Sequence, residues 1–282
     1  MAAILDSPRK ILDIGANNGD DTAYYLHCGC TVVAVDANPL LCRELEERFA
    51  PERAAGRAVI LNVGVAHAGT ESARFWRNLD NSLWSSFMPE LAARNGTRTE
   101  PVEVPCRTLA SLVTEYGPMH YIKIDVEGYD LVCLETLTPE TAPPYISAEL
   151  FNGMHAEKLA VLRALGYRRF KLICGETLST AAPIFKMDLG SRLLRKTCSL
   201  FPPALDVLHR LPVWARPDRI EFDNFRKTAP YPFPEGATGA FGEDTPGKWL
   251  DYDAARRRTD WLLNGFMREF HVDPWYDVHA TR

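Results

Sequence analysis

The chain has 282 residues, of which 46% are hydrophobic and 24% are charged, as in an ordinary globular protein. Its formal net charge of −5 argues against a general binder of nucleic acid. No apolar stretch approaches the roughly 18 residues of a membrane span, and residues 1–10 lack the apolar core of a secretory signal. The seven cysteines are odd in number and scattered, which predicts reduced thiols in a cytoplasmic protein and no zinc site.

The first half of the chain alternates short apolar runs with segments of helical spacing. Strands separated by helix-length segments indicate βαβ units and a mostly parallel sheet. Six strands are predicted, at residues 10–14, 31–35, 58–62, 121–125, 145–150 and 169–173. Helices are predicted after a cap at Asp20 or Asp21, from Pro39 to residue 49, over 158–165 and within 248–265.

Sheets of this kind bind ligands at the carboxyl ends of their strands, where this sequence places unusual residues. The run Asp13-Ile14-Gly15-Ala16-Asn17-Asn18-Gly19 ends the first strand, and its glycines allow a ligand to approach the backbone closely. Asp36 ends the second strand. A carboxylate at that position can accept both hydroxyls of a ribose.

Three interpretations fit this geometry. The turn can bind a dinucleotide, it can bind S-adenosylmethionine, or it can bind no ligand. A dinucleotide fold needs Gly-x-Gly-x-x-Gly, and Asn17 occupies the position of the second glycine. Asp13 and the pair Asp20-Asp21 also suit a cationic ligand better than a pyrophosphate. A sulfonium cofactor with an amino-acid tail carries no phosphate, so the sequence favours S-adenosylmethionine.

A third motif, Ile122-Lys123-Ile124-Asp125-Val126-Glu127-Gly128, begins in the fourth predicted strand and continues past its end. Together with residues 12–19 and 35–39, it resembles the FkbM family of S-adenosylmethionine-dependent methyltransferases. The resemblance covers about residues 10–175. It implies the α/β class I methyltransferase fold, which is Rossmann-like, with a mostly parallel seven-stranded sheet flanked by helices and an antiparallel seventh strand. We expect a cofactor-binding core over 1–175 and a C-terminal elaboration over 176–282 that holds a substrate lid and the last strand or helices.

By position, the resemblance places the methionine moiety beside Gly15, Asn17 and Gly19, the ribose at Asp36 and the adenine near residues 62–65. The predicted cofactor-binding residues are Asp13, Gly15, Asn17, Gly19, Asp36, Asn38, Asn62, Val63 and Asp125.

Methyl transfer to a hydroxyl needs an aligned nucleophile, exclusion of water and a base. Four candidate catalytic residues lie at or after the ends of strands four and five, namely Asp125, Glu127, Glu149 and His155. In the structural alternatives, Glu127 caps the next helix and His155 is a solvent-facing loop residue. Lys123 should face the same side as Asp125 and, when buried, needs a carboxylate partner.

Asp125 with Glu149 can also hold a magnesium ion, which lowers the pKa of a hydroxyl. The family motif does not require it, so magnesium is not favoured and no metal-binding residue is assigned. The resemblance implies a serine-bearing loop near the cofactor, so Ser82 and Trp84 are candidate cavity-wall residues; the alternative is an ordinary surface loop. Residues 231–245, rich in glycine, aromatic and acidic side chains, are either a lid or a connector packed on the domain. The basic residues Arg192, Arg195 and Lys196 either meet a phosphate or form the solvated face of a helix.

We therefore expect an O-methyltransferase that acts on a hydroxyl of a saccharide or glycosylated metabolite. The alternatives are O-methylation of a polyketide or peptide natural product, and a non-catalytic binding module that retains the fold. The expected partner is a small-molecule or saccharide acceptor, and neither nucleic acid nor an integral membrane segment is expected.

Overall fold

The computed structural model of the chain describes residues 8–150, 154–175, 177–180, 184–185, 220–221, 225–266 and 275–282. Arg192, Arg195 and Lys196 lie outside these ranges. The strands are β1 (Lys10–Ile14), β2 (Thr31–Asp36), β3 (Ala58–Asn62), β4 (Gly64–Val65), β5 (Ser72–Asn78), β6 (Thr99–Arg107), β7 (Tyr121–Ile124), β8 (Tyr145–Glu149), β9 (Arg169–Cys174), β10 (Ser179–Thr180), β11 (Ile184–Phe185), β12 (Ile220–Glu221) and β13 (Tyr276–Thr281). The α-helices are α1 (Asp20–His27), α2 (Pro39–Arg48), α3 (Ala50–Ala54), α4 (Pro89–Ala92), α5 (Leu109–Tyr116), α6 (Asp130–Glu135), α7 (His155–Ala164), α8 (Phe225–Thr228) and α9 (Tyr252–Thr259).

The main sheet has the strand order β10-β9-β13-β8-β7-β1-β2-β3. Strands β3, β2, β1, β7 and β8 pair in parallel, whereas β13 pairs antiparallel with both β8 and β9. The two-residue strand β10 adds a short antiparallel edge. This topology confirms the class I methyltransferase fold with an antiparallel seventh strand. All six predicted strands are present, each within one residue of its predicted bounds.

Both faces of the parallel strands are buried, which explains their continuous apolar sequences. On one face, Leu12 and Ile122 belong to an apolar cluster that also contains side chains of α5, α6, α7 and α9. On the other face, Ile11 and Tyr121 belong to a cluster with α1 and residues 233–241. Tyr121 stacks on Phe241, with ring centroids 5.1 Å apart. The parallel strands are thus packed between two apolar layers.

A small sheet, in the order β4-β6-β5, follows β3 in the sequence and was not predicted. Strand β6 contains Pro101 and Pro105, and prolines count against a strand when only the sequence is read. Here they pair with Trp76 and Ser72 of β5. Along this stretch, no described residue pairs with the other side of β6. The chain between these strands, residues 79–98, is called the 79–98 segment below.

The helix after β1 and the helix after Leu250 start differently from their predictions. Gly19 precedes α1 in the left-handed conformation (φ +83°), and the Asn18 side chain accepts the N–H of Asp20 at 3.1 Å, so neither aspartate is the cap. Leu250, predicted as helical, instead exchanges two backbone hydrogen bonds with Phe170 of β9. The helix begins after Asp251, whose side chain accepts the N–H of Ala254. No helix in the described ranges has the length and apolar character needed to cross a bilayer.

Candidate functional site

A cavity of about 490 Å³ lies at the carboxyl ends of β1, β2, β7 and β8. It occupies the position that the strand topology predicts for a ligand, because the parallel strands all end at this edge. The cavity brings together residues that are far apart in the sequence. The predicted site residues that line it are Gly15, Asn17, Asp36, Val63, Asp125, Glu127 and Glu149.

The turn after β1 approaches β7 so closely that it requires glycine at its start. Gly15 has φ +78°, and a Cβ atom there would lie 1.8 Å from the carbonyl oxygen of Asp125. Asn17 also has positive φ, and its N–H donates to Asp36 Oδ2 at 2.8 Å. Gly19 does not line the cavity. A Cβ there would lie 2.6 Å from side-chain atoms of Leu45 and Phe49, so Gly19 serves helix packing.

Asp36 lies at the end of β2 with both carboxylate oxygens oriented by backbone donors. Its Oδ2 atom accepts from Asn17 and its Oδ1 atom accepts from the N–H of Asn38 at 2.7 Å. Burial raises the pKa of Asp36 to about 6. Each oxygen retains a lone pair for a ligand hydroxyl. The side chains of Asn38 and Asn62 do not line the cavity, because the first caps α2 and the second donates to Asp36 O at 3.0 Å.

Lys123 is almost fully buried and joins three carboxylates next to the cavity. Its Nζ atom lies 3.6 Å from Asp13 Oδ1, 3.4 Å from Asp21 Oδ2 and 3.4 Å from Asp125 Oδ2. It also donates to the carbonyl oxygen of Gly15 at 3.1 Å. The predicted carboxylate partner of Lys123 is therefore confirmed.

These contacts correct the interpretation that the acidic residues near the first turn face a cationic ligand. Asp13 does not line the cavity, since it accepts from Thr22 Oγ1 at 2.6 Å and lies near Lys123. Asp20 pairs with Arg48 at 2.9 Å. The charge of Asp21 is opposed by Lys123, while burial raises its pKa to about 6.

Glu127 follows β7 and does not cap α6. Its backbone has φ +50°, and its Oε2 atom accepts from Arg94 Nη1 at 2.8 Å. Burial raises the pKa of Glu127 to about 7, although Arg94 acts in the opposite direction. Ser86 Oγ donates to the carbonyl oxygen of Glu127 at 2.9 Å.

The 79–98 segment forms one wall of the cavity. Ser82 and Trp84, both predicted, line it, and the Ser82 hydroxyl lies 3.2 Å from Asn17 Oδ1. The guanidinium of Arg94 lies 4.8 Å from the ring centroid of Trp84. Arg94 was missed because nothing in its own polar stretch indicates a contact with Glu127. The lining also contains residues that were not predicted from the sequence, among them Phe75, Phe87, Asn95 and Trp275.

Glu149 ends β8 and is the most deeply buried acid among the predicted catalytic residues. Its side chain lines the cavity, and its Oε2 atom has no hydrogen-bond partner within the described part of the chain. Burial and the neighbouring carboxylates, with Asp125 first, hold its pKa well above the usual range. Across the described ranges, no group of three or more acidic, histidine or cysteine side chains has the arrangement of a metal site.

His155 lies outside the lining of the cavity. It is the first residue of α7, is buried, and places Nε2 3.2 Å from Asp260 Oδ1. Neither the base role nor the solvent-facing loop predicted for His155 matches this position. Helix α7 starts earlier than predicted, so His155 belongs to the helix and is buried.

Residues 231–245 mostly pack on the sheet. Phe233 and Phe241 are buried against Tyr24 and Tyr25 of α1. Only Gly236 of this segment lines the cavity. The acidic side chain of Glu243 accepts from the indole of Trp249 at 2.8 Å and lies outside the lining.

Three solved structures illustrate the likeness of the fold. A precorrin-6y C5,15-methyltransferase from Geobacter metallireducens has 11% identity and a TM-score of 0.35, covering 61% of this chain and 69% of that chain. An O-methyltransferase from a trans-AT polyketide synthase of Brevibacillus brevis, in complex with S-adenosyl-L-homocysteine, has 9% identity and a TM-score of 0.36, covering 97% and 66%. The 1,6-didemethyltoxoflavin-N1-methyltransferase of Burkholderia thailandensis has 16% identity and a TM-score of 0.29, covering 57% and 61%. Likenesses of this size say nothing about what this chain binds.

No curated protein matches the chain. The family model of the FkbM methyltransferase domain matches residues 13–169, which is more than half of the chain. The match includes the turn after β1, Asp36 and the Asp125–Glu127 turn that meet at the cavity. The chain therefore belongs to the FkbM methyltransferase family and is an S-adenosylmethionine-dependent methyltransferase.

Proposed function

We propose that the protein transfers a methyl group from S-adenosylmethionine to a hydroxyl of a saccharide or glycosylated metabolite. The supporting observation is that Asp36, Gly15, Asp125 and Glu149 line one cavity in the order of the strands that carry them. The first two suit the cofactor. The last two place carboxyl groups beside the space that the acceptor hydroxyl would occupy.

The residues at the β1 and β2 end fit the cofactor. The close approach of Gly15 to β7 leaves backbone without a side chain next to the space for the methionine moiety. The oriented carboxylate of Asp36 would accept the ribose hydroxyls, and Val63 would lie near the adenine. Ser82 and Trp84 would close the outer side of the same space.

When bound, S-adenosylmethionine supplies a methyl group on a positively charged sulfur, and the sulfur is a leaving group that needs no further activation. The protein must then hold the acceptor hydroxyl in line and keep water out. Glu149 would accept the hydroxyl proton at Oε2, which has no hydrogen-bond partner among the residues that the structure describes. Asp125 would orient the acceptor or cofactor beside it.

The first experiment is calorimetry of the purified protein with S-adenosylmethionine and S-adenosylhomocysteine, with NAD as the control ligand and with magnesium or EDTA added. We expect both sulfur ligands to bind and NAD not to bind. Magnesium-dependent binding would assign a role to the metal. Absence of binding by either sulfur ligand, in the wild type, would contradict the proposal.

Methyl transfer is tested separately, with labelled S-adenosylmethionine and a set of methyl glycosides. Transfer to a glycoside hydroxyl is the expected result. Cofactor binding with no transfer to any glycoside, but with transfer to a polyketide or peptide acceptor, would replace the saccharide part of the proposal.

A further inference from the structure

The cavity extends from Asp36 along the edge of the sheet to β13. The strands run in the order β2, β1, β7, β8 and β13. Because β13 is antiparallel, its first residue lies at the same edge as the last residues of the parallel strands. Trp275 directly precedes β13 and lines the cavity together with Glu149. With the ribose at Asp36, these two residues lie at the far end of the cavity, beyond Asp125.

The indole of Trp275 rests on Gly175, the residue that follows β9. A Cβ atom on Gly175 would lie 1.5 Å from Trp275 Nε1, and the Gly175 N–H donates to Trp275 O at 2.9 Å. Only glycine leaves room for the indole in this position. Trp275 remains partly exposed in the cavity, so it presents apolar surface there.

Arg226 fixes this wall to the turn that contains Gly236. One arm of its guanidinium donates to Gly175 O at 2.6 Å, and the other donates to Phe233 O at 3.3 Å. On the opposite side of Gly236 in the sequence, the N–H of Thr238 donates to Asp21 Oδ1 at 3.0 Å. The far end of the cavity is therefore built from three separate parts of the chain.

The polar side of this end contains two buried carboxyl groups, with Glu149 in the lining and Asp277 beside it on β13. Glu149 is 8% exposed and Asp277, its partner in the β8–β13 register, is 4% exposed. Glu149 Oε2 and Asp277 Oδ2 both lack a hydrogen-bond partner among the described residues. A buried polar group without a partner is costly, and a carboxyl oxygen accepts from a hydroxyl when ionised and donates to it when protonated, so a ligand that brings several hydroxyl groups suits this site.

We propose that Trp275 and Glu149 form the acceptor subsite, and that this subsite takes a pyranose ring. The C–H face of the ring packs on the indole, and a ring hydroxyl donates to Glu149 Oε2. A flat aromatic acceptor would also pack on the indole, but it brings fewer hydroxyl donors. The inference rests on the proposed function, because the position of Asp36 as the ribose site defines which end takes the acceptor.

The test is saturation-transfer difference NMR of the full chain saturated with S-adenosylhomocysteine. The probes are methyl α-D-glucopyranoside, methyl α-D-mannopyranoside and methyl α-L-rhamnopyranoside, with resorcinol as the flat comparison. The variants are Trp275→Leu, which removes the indole, and Gly175→Ala, which displaces it without changing its chemistry. Trp261→Leu is the matched control, since Trp261 is an exposed tryptophan that does not line the cavity.

We expect saturation transfer to the ring C–H protons of at least one glycoside in the wild type and in Trp261→Leu. In Trp275→Leu and Gly175→Ala, we expect roughly tenfold weaker glycoside binding with unchanged affinity for S-adenosylhomocysteine. Trp275→Phe should retain part of the binding. Agreement of Trp275→Leu with the expectation supports the inference even if Gly175→Ala fails to fold.

Three results would overturn the inference while leaving the cofactor assignment in place. They are no transfer to any glycoside, unchanged glycoside binding in Trp275→Leu, and transfer to resorcinol alone. Failure of S-adenosylhomocysteine to bind, measured by calorimetry, would instead remove the proposed function and this inference with it.

Discussion

Arg94 donates a 2.8 Å hydrogen bond to the carboxylate of Glu127, from a position 33 residues earlier in the sequence. Both side chains are largely buried, with 22% and 19% of their surfaces exposed. This ion pair joins the 79–98 segment to the turn after β7, and Ser86 adds a second hydrogen bond between them. One wall of the cavity therefore depends on a contact between two distant parts of the chain.

Replacing Arg94 with alanine should weaken binding of S-adenosylhomocysteine by on the order of tenfold, because the charged hydrogen bond that holds the wall is lost. The pKa of Glu127 should also rise above about 7, since Arg94 lowers it in the wild type. Calorimetry checks the affinity. Arg98→Ala is the control, because Arg98 lies in the same segment but pairs with Asp80 in an exposed position. Equal losses in both variants would argue against a specific role for Arg94.

Affinity for S-adenosylhomocysteine should decrease as the pH falls through about 6. The pKa of Asp36 is raised from 3.8 to about 6, so its carboxylate takes up a proton in that range and loses acceptor strength for the ribose. Asp36→Asn should bind more weakly near neutral pH and lose this step. Calorimetric titrations of both proteins across this range provide the measurement. An identical pH profile in the two proteins would contradict the assignment of Asp36.

Gly15→Ala should abolish cofactor binding, because the new methyl group would meet the carbonyl oxygen of Asp125. Gly29→Ala is a matched control. Gly29 has the same φ of +78°, but a Cβ there has no atom within 4 Å. Both variants carry the strain of a left-handed residue, while only Gly15→Ala should displace backbone at the site. Binding that survives in Gly15→Ala would show that the turn can move away from β7.

Lys123→Met should reduce the free energy of unfolding by about 3–5 kcal/mol, because it leaves buried carboxylates without their cation. Asp13, Asp21 and Asp125 all lie within 3.6 Å of Lys123 Nζ. Urea denaturation followed by circular dichroism measures the loss. Lys248→Met, at an exposed position, should change stability little. A loss of similar size in the two variants would contradict the role of Lys123.

Glu149→Gln should lower the rate of methyl transfer by roughly 10²–10⁴-fold while S-adenosylhomocysteine still binds. In the wild type, kcat/KM should rise with pH, because the pKa of Glu149 is raised and its base form appears only as the proton leaves. The rate of the variant and the pH dependence of kcat/KM in the wild type are measured with the methyl glycoside that gives transfer in the acceptor screen. Glu157→Gln, at an exposed position on α7, is the control. Full turnover by Glu149→Gln would exclude Glu149 as the base.

The parallel strands could be predicted because their character is local. Residues 10–14, 31–36 and 58–62 are apolar runs that need no knowledge of their partners. The β5–β6 hairpin could not be recognised in the same way, since β6 contains two prolines, which count against a strand. The pairing of β6 with β5 depends on the sequence of β5, which lies far from β6 along the chain.

The site shows the same division between local and distant causes. Gly15 and Asp36 were identified because a turn after a strand is a local feature. Arg94 and Trp275 reach the cavity from the 79–98 segment and from the chain before β13, and only tertiary structure brings them there. The acidic side chains of Asp20 and Asp21 were misread for the corresponding reason, because their partners Arg48 and Lys123 are distant in sequence.

Strand β13 lies between β8 and β9, although residues 175–275 separate it from β9. During folding, β8 and β9 therefore face a gap one strand wide until residues 276–281 arrive. Closing a loop of this length is slow, and two unpaired strand edges in a collapsed intermediate can pair with other chains. Trp275 directly precedes β13, so the cavity wall that it forms is complete only once β13 has paired with β8 and β9.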